Sequence, residues 1–323
     1  MKAIVLLNGA AGTIAGWDHS LGDSVVQDAL TAAGIDAEIR VVPGDDLRAA
    51  AESAIRSKPD VLIVGGGDGT LSTVAGLMAG QPIPLGVLPL GTLNHFAKDL
   101  GIPTDLAAAA QVIAANHVIN IDVGELNGRV FINNSSLGIY PQMVLDRESQ
   151  RKRYGFSKWK AMFYAILKVF RRFPLVQVRL TTDTSTTMRK TPLVFVGNNC
   201  YQLDLFNIGT RNCLDRGELS LYVANAQTRW ATFKLAVRAM CGYLKQARDF
   251  EIFSLANCTI EARRHHLHVA ADGEILTLAP PLHYSIRPEA LRVCVPQLTD
   301  RQVALNRERA ESGLQTTGAG PDS

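Results

Sequence analysis

Residues that suit phosphate chemistry follow two of the apolar runs near the start of the chain. Residues 61–64 are apolar and lead into the segment GGGDGT at 65–70, which precedes a predicted helix. The backbone N–H groups of such a loop and the positive end of a helix dipole both attract phosphate oxygens. An acid is unfavourable there unless it binds a metal ion or accepts a proton. Asp68 is therefore a candidate catalytic residue and metal ligand, the alternative being that it only caps the helix.

A second loop of the same kind occupies residues 89–97, PLGTLNHFA, after the apolar run 85–88. Gly91 permits a close backbone approach, and Thr92 and Asn94 offer side-chain hydrogen bonds to phosphate or ribose oxygens. The alternative is that these two polar residues only cap the next helix. Neither loop contains the pattern G-x-x-x-x-G-K-[ST], so the sequence does not predict a P-loop.

The elements that must position these loops alternate between strands and helices. Strands are predicted at 3–7, 39–42, 61–64 and 85–88. Helices are predicted at 20–33, 45–57 and 70–79. This alternation indicates a parallel sheet covered by helices, in which ligands bind at the carboxyl ends of the strands. Both glycine-rich loops fall at such ends.

From about residue 118 the pattern changes to short strands separated by turns. These strands are predicted at 118–126, 129–134, 176–182, 193–197, 218–223 and 259–270. They indicate a second, mainly antiparallel domain, interrupted by helices near 156–173 and 229–248. A turn at Asp272-Gly273-Glu274 separates predicted strands at 266–270 and 275–278, and by itself it could be an ordinary hairpin turn.

Length and composition agree with two globular domains. The chain has 323 residues, of which 47% are hydrophobic and 20% charged. Domains commonly contain about 100 to 200 residues. We expect residues 1–120 to form the first domain and residues 121–287 the second, with residues 288–300 returning to the first. The tail 301–323 lacks apolar periodicity and is predicted to be flexible.

Net charge and cysteine content bear on the partners and the cellular compartment expected for the protein. A net charge of +3 does not indicate nucleic acid as a partner. The five cysteines are far apart and odd in number, which favours reduced thiols in the cytoplasm. No apolar run resembles a signal peptide or approaches the ~20 residues of a spanning helix, so any membrane contact is expected to be peripheral.

Residues 147–172 combine a basic face with an apolar one. On a helical projection the aromatic and aliphatic residues fall on one side and the lysines and arginines on the other, with nine basic residues against Glu148 alone. This pattern is typical of docking on an anionic membrane. The alternative is a helix that packs on the second domain and exposes its basic face. The predicted helix 229–248 could form the other side of a lipid entrance.

Five motifs together resemble one family. They are NGAAG at 8–12, GGGDGT at 65–70, PLGTLNHFAKDLGIP at 89–103, INNSSLG at 132–138 and ADGE at 271–274. Their order and spacing are similar to those of the diacylglycerol kinase catalytic-domain family, which includes sphingosine kinases and bacterial lipid kinases of the YegS type. The resemblance covers residues 3 to 295. It implies an α/β + β fold, in which an NAD-kinase-like nucleotide-binding domain precedes a β-sandwich domain.

The resemblance also implies a set of site residues. ATP is expected on Asn8, Gly9, Ala10, Ala11, Gly12, Gly66, Gly67, Asp68, Gly69, Thr70, Thr92 and Asn94. Acidic groups for catalysis are expected at Asp68, Asp272 and Glu274, and Mg²⁺ is expected at Asp68 and Asp272. The cofactors implied are therefore ATP and Mg²⁺.

The sequence departs from this family in three places. Gly9 and Ala11 stand in place of the proline and serine of the pattern N-P-x-S-G, which leaves the backbone donors in place. His95 stands where relatives have an aspartate. Bacterial relatives hold a structural Mg²⁺ with an aspartate directly before a glycine, but this chain has Arg216 there, next to Asp215. A guanidinium can replace the charge of the cation, so we do not expect that second metal site.

The function predicted from the sequence is ATP-dependent phosphorylation of a lipid hydroxyl, on diacylglycerol or a sphingoid-type lipid. The protein is expected to be cytoplasmic and peripherally associated with the inner face of the membrane. One alternative is a soluble-substrate kinase of the NAD kinase type. Another is a lipid-binding protein that keeps the fold without catalysis. The sequence indicates neither the individual lipid nor the oligomeric state.

Overall fold

The computed structural model describes most of the chain. It covers residues 1–9, 19–139, 141, 175–182, 185–199, 201–204, 207–211, 214–226, 228–240 and 246–297. The predicted helix near 156–173, the basic segment 147–172 and the tail 301–323 lie outside the described residues. Within the described part, no helix is long and apolar enough to cross a membrane.

The first unit alternates strands and helices. Its strands are β1 (Lys2–Asn8), β2 (Asp36–Val42), β3 (Val61–Gly66) and β4 (Leu85–Pro89). Its helices are α1 (His19–Ala32), α2 (Leu47–Arg56), α3 (Asp68–Met78), α4 (His95–Asp99) and α5 (Leu106–Ala114), and a 3₁₀ turn at Gly44–Asp46 precedes α2. The four strands run parallel in the order β2-β1-β3-β4. They are rich in branched apolar residues, as buried parallel strands require.

The second unit consists mainly of antiparallel strands. Its strands up to residue 204 are β5 (Val118–Leu126), β6 (Arg129–Phe131), β7 (Asn134–Gly138), β8 (Val176–Thr182), β9 (Thr186–Thr191), β10 (Leu193–Asn198) and β11 (Tyr201–Asp204). The later strands are β12 (Asn207–Arg211), β13 (Leu219–Ala224), β14 (Phe250–Leu255), β15 (Asn257–Ala262), β16 (Leu267–Ala271), β17 (Glu274–Leu278) and β18 (Leu282–Cys294). Two helices, α6 (Arg229–Met240) and α7 (Gln246–Asp249), lie between β13 and β14.

Two sheets face each other in this second unit. One has the order β14-β13-β10-β7-β16-β17, and the other contains β18, β15, β8 and β9. Alternate residues of the facing strands form a single buried cluster that includes Val178, Ile260, Val196, Leu221 and Val269. This burial pattern is that of a β-sandwich. The predicted class, an α/β domain followed by a mainly antiparallel β domain, is confirmed.

Strand β18 belongs to both units. Its first half pairs with β15, with Tyr284 opposite Cys258. Its last residues pair with the parallel sheet, where Val293 lies opposite Leu85. A bulge between Arg287 and Leu291 separates the two halves. The chain thus crosses back from the sandwich to the α/β unit within one strand, which ties the two units together through backbone hydrogen bonds.

Two strand predictions were wrong. The run 259–270 is divided into β15 and β16 by an exposed turn at 263–266, because four consecutive charged or imidazole side chains, Arg263-Arg264-His265-His266, have no buried face to occupy. The run 129–134 is divided into β6 and β7, because residues 132–133 leave the ladder to bind a side chain described below. The predicted helix 229–248 appears as α6 and α7, with residues 241–245 outside the described part.

Candidate active site

An open cavity of about 420 Å³ lies at the carboxyl ends of β1, β3 and β4. Its lining includes six residues expected from the sequence: Asn8, Gly67, Gly69, Thr70, Thr92 and Glu274. It also includes Gly44, Leu47, Thr73 and Gly91. The cavity therefore brings both glycine-rich loops together with one acid of the sandwich. The described lining contains no lysine or arginine, so backbone N–H groups and uncharged side chains are the donors that this wall offers to an anion.

Loop 65–70 folds tightly onto its own helix. A Cβ at Gly66 would lie 2.6 Å from Cβ of Thr70, which is closer than real Cβ atoms come. Glycine is therefore required for Thr70 to sit beneath the loop. The Thr70 hydroxyl oxygen accepts a 2.8 Å hydrogen bond from the Asn8 side-chain amide. This bond joins the loop after β1 to the loop after β3.

The loops after β3 and β4 touch through two glycines. A Cβ at Gly91 would lie 2.4 Å from Cα of Gly67. Asn94 holds this second loop from inside, in a left-handed conformation with φ of 52°. Its side-chain oxygen accepts from the Gly91 N–H at 2.9 Å, and its amide nitrogen donates to the carbonyls of Gly91 and Pro89 at 2.9 and 3.2 Å. Asn94 is 5% exposed, so its contact with a nucleotide stays a prediction, whereas its support of the loop is observed.

Asp68 connects the two loops. Its Oδ1 accepts a 3.0 Å hydrogen bond from the backbone N–H of Phe96, near the start of α4. This is a helix-capping contact, although it caps the helix of the other loop and not α3 itself. No described residue donates to Oδ2. The catalytic and metal-binding roles of Asp68 stay predictions, and half of its carboxylate remains available for them.

Asp272 is held by the protein on all sides. It lies with Gly273 in a two-residue turn between β16 and β17, both with positive φ, as a type I′ hairpin requires. Its Oδ1 accepts from the N–H groups of Asn133 and Asn134 at 2.8 and 3.0 Å. Its Oδ2 accepts from the Ile132 N–H at 2.7 Å and from the Ser72 hydroxyl at 2.5 Å. Burial raises the pKa of the Asp272 carboxyl, while these four hydrogen bonds act in the opposite direction.

These contacts give Asp272 a structural position. They join the hairpin to α3 through Ser72 and to the segment between β6 and β7 through three backbone groups. The catalytic and metal-ligating roles expected for Asp272 remain predictions that this arrangement does not favour, because both carboxylate oxygens already accept two hydrogen bonds each.

Glu274 is the acid that reaches the cavity. It is the first residue of β17, directly after the Asp272-Gly273 turn, and its side chain is 48% exposed. Arg129, at the start of β6, forms an ion pair with it. Arg129 was not found from the sequence, since an arginine beside a turn carries no motif. The pair places a cation next to the one acid of the lining, at the border between the two units.

Several residues that were expected to contact the nucleotide either do not line the cavity or lie outside the described residues. Ala10, Ala11 and Gly12 lie outside the described residues. Gly9 is described, and its N–H donates to the Val42 carbonyl at 3.2 Å. Ser72 and Thr73 were not predicted. Their places in α3, one turn after the loop, are a signal that helix periodicity could have supplied.

A buried aspartate occupies the region where relatives were expected to hold a structural metal. Asp122 of β5 is 1% exposed. Its Oδ2 accepts from the Gly217 N–H at 2.7 Å, and its Oδ1 accepts from the Glu289 N–H at 2.8 Å. Asp215 and Arg216 are exposed, and the Arg216 N–H donates to the Asn199 side chain at 3.0 Å. The sequence signal for Asp122 is an acid inside the apolar run Ile121–Val123.

These donors do not fit a metal site at this position. Each carboxylate oxygen of Asp122 accepts a hydrogen bond from a backbone N–H group, so the buried carboxylate is satisfied without a cation. Across the described residues, no group of three or more His, Cys, Asp or Glu side chains could hold a metal ion. The Asp122 carboxylate instead joins the loop 214–218 to the bulge of β18.

Known families match this arrangement over most of the chain. The family model of the diacylglycerol kinase catalytic domain matches residues 2–126. The model of the YegS C-terminal NAD kinase beta sandwich-like domain matches residues 145–295. The chain thus combines a region similar to the diacylglycerol kinase catalytic domain with a region similar to the C-terminal domain of YegS-type proteins. The two matched ranges correspond to the α/β unit with its glycine loops and to the sandwich with Glu274.

Curated relatives match part of the chain. A diacylglycerol kinase of Staphylococcus epidermidis is 41% identical over 104 residues, which is 32% of this chain and 33% of that protein. A diacylglycerol kinase of Staphylococcus aureus (strain JH9) is 35% identical over 152 residues, which is 46% of this chain and 47% of that protein. The chain thus spans between a third and a half of the length of these relatives.

Solved structures share the fold over nearly the whole length. A diacylglycerol kinase of Bacillus anthracis str. Sterne covers 91% of this chain, which in turn covers 97% of it, with a TM-score of 0.65 and 22% identity. Another structure from the same organism has the same coverage, a TM-score of 0.70 and 23% identity. At this level of identity the likeness establishes the two-unit fold.

Proposed function

We propose that this protein transfers the γ-phosphate of ATP to the hydroxyl group of a lipid, such as diacylglycerol or a sphingoid-type lipid. The observation that carries the proposal is that Glu274 lines the same cavity as both glycine-rich loops. An anion site and a carboxylate that can accept a proton therefore face one space. The match of residues 2–126 to the diacylglycerol kinase catalytic domain supports a kinase of this kind.

The reaction needs one proton acceptor and well-placed phosphate donors. As the lipid oxygen bonds to the γ-phosphorus, the bond from that phosphorus to the β–γ bridging oxygen breaks and ADP leaves. The hydroxyl proton passes to the Glu274 carboxylate, which the Arg129 ion pair holds at the cavity. Phosphoryl transfer depends mainly on positioning and charge stabilisation, which the backbone N–H groups of the two loops can provide.

The residues present fit Mg²⁺-bound ATP. Mg²⁺ in such sites takes one or two carboxylates besides phosphate and water oxygens, and Oδ2 of Asp68 is a carboxylate oxygen without a donor from the described residues. Asp68 is the residue that would hold the ion, which when bound neutralises charge on the phosphates. Asp68 also keeps the two loops together through its bond to the Phe96 N–H.

The setting of the reaction follows from its acceptor. We propose a role in lipid metabolism, with the protein in the cytoplasm and peripherally bound to the inner face of the membrane, where a lipid hydroxyl is presented. The basic segment 147–172 supports this proposal by its charge pattern.

The direct test is phosphorylation of a total lipid extract by γ-labelled ATP, with NAD offered in parallel and products identified by mass. The variants are Glu274→Gln and Asp68→Asn. Glu261→Gln is a matched control, because Glu261 is another half-exposed glutamate paired with an arginine, Arg179, at 3.2 Å. Removal of a general base lowers kcat by roughly 10²- to 10⁴-fold.

We expect a lipid product with the unmodified protein, a loss of that size for Glu274→Gln and no change for Glu261→Gln. Asp68→Asn should lose turnover while ATP affinity stays within a few-fold. Labelled NAD phosphate in place of a lipid would refute the acceptor class. Near-normal turnover of Glu274→Gln would refute its role as the base.

A further inference from the structure

The sandwich has two distinct ends. At the end near the cavity lie Asn134, Asn198 and Asp272. The Asn198 side chain donates to the carbonyls of Asp122 in β5 and of Ile132, and Asp272 accepts from Ser72 of α3. At the opposite end lie the last residue of β13, Ala224, and the first of β14, Phe250, which pair with each other. We call this the distal end. It is separated from the cavity by the length of β16, five residues or about 15 Å.

Cations gather at the distal end. The register Ala262–Val178–Arg189 across three strands places the turn 263–266 at the same end of the sheet as the end of β9, with β8 between them. The exposed cations there are Lys190, Arg248, Arg263 and Arg264, to which α6 adds Lys234. The described acids of this end all form ion pairs. Glu251 pairs with Arg189 at 2.8 Å, and Asp249 pairs with Arg238 at 2.8 Å and with Arg248 at 3.5 Å. Glu261 pairs with Arg179 at 3.2 Å. The hydrogen bond from Arg189 lowers the pKa of Glu251, which favours the paired, ionised state.

Large apolar side chains are exposed on the helix that follows the distal end of β13 and on the neighbouring strand β14. Helix α6 packs through Leu235 on the outer face of the sheet β14-β13-β10-β7-β16-β17, against Tyr222 and Phe250. Its first turns present Trp230, 68% exposed, and Phe233, 37% exposed, with their rings edge to face at 6.0 Å. Ile252 on the same outer face is 45% exposed. A group of exposed apolar side chains, unlike a single one, is typical of an interaction surface.

We propose that the distal end is a docking surface for an anionic lipid bilayer, with Trp230 and Phe233 inserted at the interface and the Arg263–Arg264 turn on the headgroups. Aromatic residues next to a basic cluster fit a bilayer surface, where indole rings sit at headgroup level and cations meet anionic lipids. The inference rests on the proposed function only for its purpose, since docking holds the protein where a lipid acceptor is concentrated.

Vesicle binding tests the surface directly. Two double variants remove its parts: Trp230→Ser with Phe233→Ser, and Arg263→Glu with Arg264→Glu. The matched control is Arg48→Glu with Arg56→Glu on α2, which changes the net charge equally on another exposed surface. Binding is measured by flotation with phosphatidylcholine vesicles with and without phosphatidylglycerol. We expect at least about tenfold weaker binding to anionic vesicles for each distal variant and near-native binding for the control.

Fluorescence gives a second readout that does not depend on substitution of the surface. The chain has three tryptophans, and Trp17→Phe with Trp159→Phe leaves Trp230 as the reporter. Brominated acyl chains should quench its emission when anionic vesicles are added. Native-like binding by both distal variants, or no quenching, would overturn the proposal. Loss of Trp230 exposure through self-association, seen by sedimentation without lipid, would also overturn it.

Activity assays separate this inference from the proposed function. The distal variants should keep turnover on a monomeric short-chain diacylglycerol and lose it on vesicles. Asp68→Asn should bind vesicles normally without turnover. If no protein phosphorylates any lipid but the distal variants still lose vesicle binding, docking stands and the proposed function falls. Equal losses on monomeric and vesicle substrate by the distal variants would contradict docking as their role.

Discussion

The contact between Gly91 and Gly67 offers a strong test of how the two glycine loops form one site. In Gly91→Ala the new Cβ would lie 2.4 Å from Cα of Gly67 and 2.8 Å from Oδ1 of Asn94. Ordinary contacts begin at 3.4 Å, so the loops must separate by about 1 Å. The first obstacle is backbone, which cannot rotate away as a side chain could.

The magnitude follows from this displacement. Overpacking of this kind lowers the free energy of unfolding by about 1–3 kcal/mol. A change of about 2 kcal/mol corresponds to a fall in Tm of roughly 4–8 °C for a domain of this size. A misplacement of about 1 Å in a reacting site costs about 10²-fold in rate. We therefore expect kcat/KM for ATP to fall by about two orders of magnitude.

The assays are urea unfolding and steady-state kinetics with the lipid product identified above. Gly69→Ala is the control for stability, because Gly69 stands in the loop that Gly91 contacts. Apart from the adjacent residues and the nearby backbone of α3, no atom lies within 4 Å of the position that its new methyl group would take. Its unfolding midpoint should match or exceed that of the unmodified protein. If Gly91→Ala keeps both its midpoint and its kcat/KM within about twofold, the pinned arrangement of the loops is refuted. Lower stability with unchanged kcat/KM would place the nucleotide elsewhere.

Three further predictions concern the buried carboxylates of Asp272 and Asp122. In Asp272→Asn the backbone should stay unstrained, because asparagine tolerates a positive φ. The new amide NH₂ group cannot accept hydrogen bonds from the N–H groups around it. Chemical unfolding should therefore show a free energy of unfolding lower by about 1–3 kcal/mol. Asp122→Asn should cost a similar amount for the same reason. Asp122 joins the loop 214–218 to the bulge of β18 through N–H donors and without a metal. EDTA should therefore leave the unfolding midpoint of the unmodified protein unchanged. A lower midpoint in EDTA would contradict that interpretation.

Local patterns were sufficient for much of the fold. Strand-to-loop transitions at 64–70 and 88–94 predicted the loops of the site, because glycine-rich turns after apolar strands depend on neighbours in sequence. The Asp-Gly pair at 272–273 likewise predicted a hairpin turn. The prediction of a continuous strand at 259–270 was wrong because β15 and β16 belong to different sheets. The turn at 263–266 carries the chain from one sheet to the other, and this change of sheet is visible only in the tertiary structure.

The partners of the site residues could not be read from the sequence. Ser72 and Asp272 are 200 positions apart, and Arg129 and Glu274 are 145 apart. No local periodicity relates residues at such separations, and their meeting depends on how β18 returns the chain to the first sheet.

The sequence by itself therefore determined that the chain has two glycine-rich loops after apolar strands, an acid in one of them and a late turn with two more acids. The tertiary structure decided which acid faces the cavity. Asp272 is enclosed by four donors from α3 and the segment 132–134, whereas Glu274, two residues later, lines the cavity together with the loops. The physical reason is that a buried carboxylate must find hydrogen-bond donors, and only folding brings those donors to it.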